Sequence, residues 1–189
     1  MATRIRSFLA GALVVGLIAF VTGGTYSAFF SRTSNGDGTG NRFSAGTVHL
    51  VDNDSGSLMF NMSGMRPTDA PRTSCITVTY NGSLDAAVHL YGTVSSTGVE
   101  QYINLKIEVG TTTTGFGDCS GFSASQTLFD ATLSGFAAKT DWTSGLIDPL
   151  SPWTTGQSRA YRFTVSLQNT SAAQGRTATV SFSWEARNL

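Results

Sequence analysis

Tyr161-Arg-Phe-Thr-Val-Ser-Leu-Gln168 decides the fold. Tyr161, Phe163, Val165 and Leu167 alternate with Arg162, Thr164, Ser166 and Gln168. A period of two places the first set on one side of an extended strand and the second on the other. The same pattern recurs nearby: Val180, Phe182, Trp184 and Ala186 alternate with Thr179, Ser181, Ser183 and Glu185, and Ile103, Leu105, Ile107 and Val109 alternate with Asn104, Lys106 and Glu108. Ile76, Val78 and Tyr80 alternate with Thr77 and Thr79, and Val88 and Leu90 carry a further strand.

One apolar and one polar face per strand means antiparallel sheets wet on one side, and two such sheets stack as a sandwich. The expected fold is therefore all-β, a two-sheet antiparallel sandwich in a jelly-roll or similar Greek-key arrangement. Thr47 to Val51 is expected as a short strand, Asp52 to Gly56 as a turn, and Ser57 to Asn61 as a strand paired with what precedes it. Asn81-Gly82 is a tight-turn signal, because both residues tolerate positive φ. Thr111 to Ser125 and Ala138 to Gly156 read as long connections. A short helix fits only near Leu84 to Ala87 or in the later connection.

Upstream of this body the chain changes character. Arg4 and Arg6 precede an unbroken apolar run from Phe8 to Val21, then small residues up to Ala28. This is the layout of a secretory signal peptide, residues 1–28, cut between Ala28 and Phe29. The run is shorter than the roughly 20 residues that span a bilayer, which argues against the alternative, an uncleaved anchor. Export places the mature chain outside the cytosol. Residues 29–42 hold Phe29-Phe30 and then a Gly- and Ser-rich leash in which nothing buries surface, and residues 43–189 form the sandwich domain.

Composition narrows the chemistry. Lys plus Arg and Asp plus Glu number 12 each, and only 13% of residues are charged. No basic patch is available for phosphates, so nucleic acid is not an expected partner. The two cysteines, Cys75 and Cys119, are read as one disulfide, as suits an exported chain. His49 and His89 sit in separate strand patterns with no H-E-x-x-H helix, so a zinc-protease ligand set is not seen. Asp52, Asn53 and Asp54 lack the spacing of a calcium loop and read as a turn. No G-x-S-x-G is present. No cofactor, metal site or catalytic residue is expected. Phe163, Phe182 and Trp184 read as core. Trp142 and Trp153 flank the later connection and either cover one end of the sandwich or mark a surface contact with glycan or protein.

Phe29 and Phe30 are the leading candidates for function. Paired aromatics on a loose leader either fold back onto their own sheet or add to a neighbour's sheet edge. Physical reasoning on the sequence leaves both open.

Gly23-Gly-Thr-Tyr-Ser-Ala-Phe-Phe30, followed by Asn41-Arg-Phe-Ser-Ala-Gly-Thr-Val48, resembles the N-terminus of the TasA/camelysin family of secreted biofilm-matrix fibre proteins. In that family a dedicated signal peptidase cuts before an aromatic, which accounts for Tyr26 three residues before the bond. Asn61 to Asp69 is similar to the family's N-x-x-P-G-D segment, Tyr80 to Leu84 to its N-x-G-S element, and Gly175 to Ala186 to its closing strand. Thr68 and Arg187 depart from the pattern, and the cysteine pair suggests an actinobacterial subgroup. The resemblance implies a jelly-roll subunit that polymerises head to tail with itself, aided by accessory matrix proteins. Phe29, Phe30 and Phe43 would lie in the donated segment. Some members carry a metallo-endopeptidase label, the alternative function, for which this sequence offers no ligand set.

Overall fold

The computed structural model describes residues 45–111 and 115–189. Gly46–Leu189 is one compact unit, built from eight strands: β1 Leu50–Asp52, β2 Arg72–Tyr80, β3 Ala86–Ser96, β4 Ile103–Thr111, β5 Ser123–Thr132, β6 Leu146–Ile147, β7 Ser158–Leu167 and β8 Ala178–Asn188. They form two antiparallel sheets, one ordered β1-β2-β7-β4-β5 and the other β6-β3-β8. The protein is an all-β two-sheet sandwich, as the alternation requires.

The nested pairs β3–β8 and β4–β7 explain its wrapping. Each arm crosses from one sheet to the other, through residues 97–102 and 168–177. The crossings stay hydrogen-bonded side by side, with the Thr97 N–H donating to the Thr177 carbonyl at 2.9 Å and the Gln168 N–H to Tyr102 at 2.9 Å. A long ribbon folded over in this way is the jelly-roll arrangement.

The inward rows meet as expected. Ile76, Val78, Tyr80, Val88, Leu90, Leu105, Ile107, Val109, Tyr161 and Phe163 are buried. Each large side chain taken from water contributes about 1.5–3 kcal/mol, so these rows define the register: a one-residue slip would expose them all.

Several local expectations are corrected. The first strand begins at Leu50, not Thr47, and pairs with β2 (Leu50 opposite Tyr80). Ser57 to Asn61 is not a strand. The turn before it is closed by its own side chains: the Asp54 carboxylate accepts the Gly56 N–H at 2.6 Å, and Ser55 adopts φ 51°. Asn53 Oδ1 then accepts the Thr77 N–H at 2.9 Å, taking the place of a strand partner on β2. The chain does turn in the crossing that Asn81-Gly82 opens, but neither residue adopts positive φ. Residues 81–85 carry the chain from β2 in one sheet to β3 in the other. Gly82 is needed for close approach: a Cβ there would meet the Tyr80 hydroxyl and stand 2.6 Å from the Thr47 carbonyl oxygen.

Ala86 opens a strand, so no helix forms at Leu84 to Ala87. The one α-helical turn among the described residues is Leu133–Phe136, where the Gly135 N–H reaches the Thr132 hydroxyl and Leu133 and Phe136 are buried. β5 overlaps the segment expected as a connection. Its residues are mostly exposed, so burial imposes little alternation on them.

The large sheet is not wet across its whole outer face. Cys75 points outward yet is fully buried, because the loop after β4 returns over the sheet and joins it through the Cys75–Cys119 disulfide. The Gly117 N–H donates to the Cys75 carbonyl at 2.8 Å, and Arg162 lies 4.6 Å from the Phe122 ring centroid. Beneath this loop Glu108 is buried and paired with Arg162 at 2.7 Å and Lys106 at 3.0 Å.

Candidate functional site

Alternation along Ser181-Phe-Ser-Trp184 aims Phe182 and Trp184 between the sheets. Phe182 packs on Phe163 with ring centroids 4.5 Å apart and on Phe136 at 5.3 Å. Trp184 packs on Tyr161 at 5.3 Å. Their partners Phe163, Phe136 and Tyr161 are fully buried, but Val180, Phe182 and Trp184 are only partly so. The cause is strand order. All eleven residues of β8 pair with β3, and among the described residues β8 pairs on no other side.

The other sheet edges are blunted. β1 has three residues and β6 two. β5 is distorted by register shifts between Ile107 and Glu108 and between Val109 and Gly110, and bulges of this kind discourage edge-to-edge pairing. β8 is long and has an unbroken register. Beside it a cleft of about 280 Å³ opens between the sheets, lined by Leu50, Val51, Asp52, Val78, Phe182 and Trp184, with Ser183 at its rim. Burial raises the Asp52 carboxyl above its ordinary value; the Asp54 backbone N–H works against this, and the negative charge of Asp54 adds to it.

The chain enters the sandwich beside the end of this edge. The Thr47 N–H donates to the Ser83 hydroxyl at 2.9 Å, the Ser83 N–H returns to the Thr47 carbonyl at 2.8 Å, and the Leu189 N–H donates to Asp85 at 3.1 Å. One five-residue crossing, 81–85, therefore holds both the approach to β1 and the end of β8. Ala28, Phe29, Phe30 and Phe43, with the 1–28 and 29–42 segments, lie outside the described residues.

The remaining candidates are dispersed. His49 is exposed ahead of β1. His89, on the outer face of β3, stacks on Trp142 at 3.7 Å and shares a 2.8 Å hydrogen bond with the Trp142 carbonyl. No group of three or more His, Cys, Asp or Glu side chains fit to hold a metal occurs among the described residues. The two connection tryptophans separate. Trp142 is partly buried against His89 and 4.5 Å from Arg187, whereas Trp153 is fully buried with its backbone bridged to Ala86.

Sequence reasoning missed a buried charge cluster. Asp148 bonds Arg159 at 2.6 Å and accepts the Tyr161 hydroxyl at 2.6 Å. Arg159 also donates to the Leu150 and Pro152 carbonyls and covers the Trp153 ring at 4.2 Å. Burial, with the Asp148 charge next, pushes the Tyr161 hydroxyl well above its ordinary value. The cluster is closed and fastens the 138–157 connection to the core. Its signal was present in the sequence: Arg159 shares parity with Tyr161 and Phe163, and a charge in an inward row calls for a buried partner. The open β8 edge had no such signal, since edge position depends on pairing. No protein-family model matches the chain, and no curated protein sequence does either.

Proposed function

We propose that this chain is a secreted structural subunit of extracellular or cell-surface fibres, assembled when the segment that begins at Phe29 adds as a strand to the β8 edge of a neighbouring subunit. The carrying observation is the long edge of β8 that no described strand pairs with, and Phe182 and Trp184 partly exposed in the cleft beside it. An added strand would satisfy backbone groups along β8 and cover this row with apolar side chains. Reach is adequate: Phe29 to Arg42 extends roughly 45 Å at ~3.3 Å per residue, against roughly 36 Å for β8. Donation from one subunit to the next does not close on itself, so it propagates. The resemblance of residues 23–48 to the TasA/camelysin family supports the same reading, and with it export past a dedicated signal peptidase.

The test is negative-stain microscopy of the mature chain starting at Phe29, beside a chain lacking Phe29 to Arg42. The expected result is filaments from the first and soluble folded monomers from the second. Filaments from the truncated chain would remove the donor role.

A further inference from the structure

Methionine is distributed unevenly in this chain. It has four methionines, and three of them, Met59, Met62 and Met65, fall within seven consecutive residues. None of the buried core residues is a methionine. The three lie in the irregular segment between β1 and β2, where Leu58, Asn61, Ser63 and Gly64 are exposed while Met59, Met62 and Met65 are partly buried. Gly64, at φ 63°, turns the chain between the second and third. All three methionines line one cleft of about 480 Å³, together with Phe60, Val165 and Leu167.

Methionine often serves as an adaptable gap filler. All three pack against the margin of the core, and all three also line the solvent-reaching cleft, a convergence that gap filling alone does not require. A thioether is also a soft, neutral ligand with no proton to lose, and soft sulfur ligands select Cu(I). The chain's thiols do not compete, because Cys75 and Cys119 are joined. We propose that Met59, Met62 and Met65 form a thioether site for a soft monovalent cation, Cu(I) or its analogue Ag(I).

The charges on the cleft define what it rejects. Arg66 and Arg72 line it with Asp69, whose carboxylate accepts the Arg66 backbone N–H at 2.8 Å. The rim is net positive, so ligand softness and not charge must carry the affinity. Hard divalent cations such as Ca²⁺ and Mg²⁺, which require several oxygen ligands, meet a single carboxylate there, Asp69, beside the two arginines. His49 and His89 do not line this cleft.

The test is a titration of the purified mature chain, carrying ¹³C-methyl methionine, with Ag(I) nitrate in chloride-free buffer, read by solution NMR while the chain is monomeric and by magic-angle-spinning NMR once it forms filaments. The expected result is concerted movement of the three methyl resonances, saturating at one equivalent, with no response to Ca²⁺ or Mg²⁺. Cu(I) competition against a colorimetric chelator should show the same stoichiometry. Met62→Leu, which conserves volume, should weaken binding by about tenfold or more while the fold is retained. Methyl resonances unmoved at one equivalent, or unchanged affinity in folded Met62→Leu, would overturn the site. The wild-type titration decides the matter even if a variant fails to fold.

Discussion

Phe182 of β8 and Phe163 of β7 stand 4.5 Å apart, ring centroid to ring centroid, but only Phe163 is fully enclosed. β7 lies between β2 and β4, whereas among the described residues β8 has a neighbour on one side only. One contact thus joins a residue at the centre of the core to one at its open margin.

This asymmetry separates stability from assembly. Phe163→Ala should destabilise the monomer by about 3–5 kcal/mol, as for a fully buried aromatic. Phe182→Ala should cost clearly less in urea unfolding and yet abolish filaments of the mature chain. Equal losses in both variants, with assembly unaffected, would show that the β8 margin is ordinary core.

The Asp148–Arg159 pair should be expensive to break from one side. Asp148→Ala leaves a buried guanidinium without its counter-charge, a change that costs about 3–5 kcal/mol. Tyr161→Phe removes one hydroxyl bond and should cost about 1–1.5 kcal/mol. Denaturant melts give both values. A loss under 1 kcal/mol for Asp148→Ala would mean that water relieves the cluster.

Burial acts to raise the Glu108 carboxyl, but hydrogen bonds and charge from Lys106 and Arg162 outweigh it and hold the group below its ordinary 4.5. A depressed carboxyl favours the folded state while ionised. Its contribution is fully present above the unfolded value of 4.5 and is lost as pH falls through the lower folded value. Wild type should therefore exceed Glu108→Gln in stability at neutral pH, and the two melting curves should converge in acid. Parallel curves down to the acid limit would remove Glu108 from the account.

The Cys75–Cys119 bridge closes a 44-residue separation and ties the loop after β4 across the large sheet. Reduction should lower stability by about 2–4 kcal/mol. Amide exchange should rise first in residues 115–122 and leave β2, β4 and β7 protected. Simultaneous loss of protection in those strands would show that the bridge holds the sheet and not merely the loop.

Legibility in the sequence followed local cause. β4, β7 and β8 were readable because one face of each turns toward the core, with buried residues in β4 and β7 and partly buried ones in β8, and this forces a period of two. β5 was not, because an edge strand with mostly exposed residues has no such constraint. Asn81-Gly82 suggested a tight turn at positive φ because its composition fits one. In the fold the glycine is there because Tyr80 and Thr47 crowd its α-carbon.

The sequence by itself determined the sandwich, its inward rows and the pairing of its two cysteines, since each follows from alternation or from residue chemistry along a short stretch. Only the tertiary structure decided which strand stands at an edge, that Trp153 is enclosed while Trp142 lies on an outer face, and that Arg159 meets Asp148. Those outcomes depend on partners distant in sequence, and neither periodicity nor composition specifies how far apart two segments of a folded chain will be.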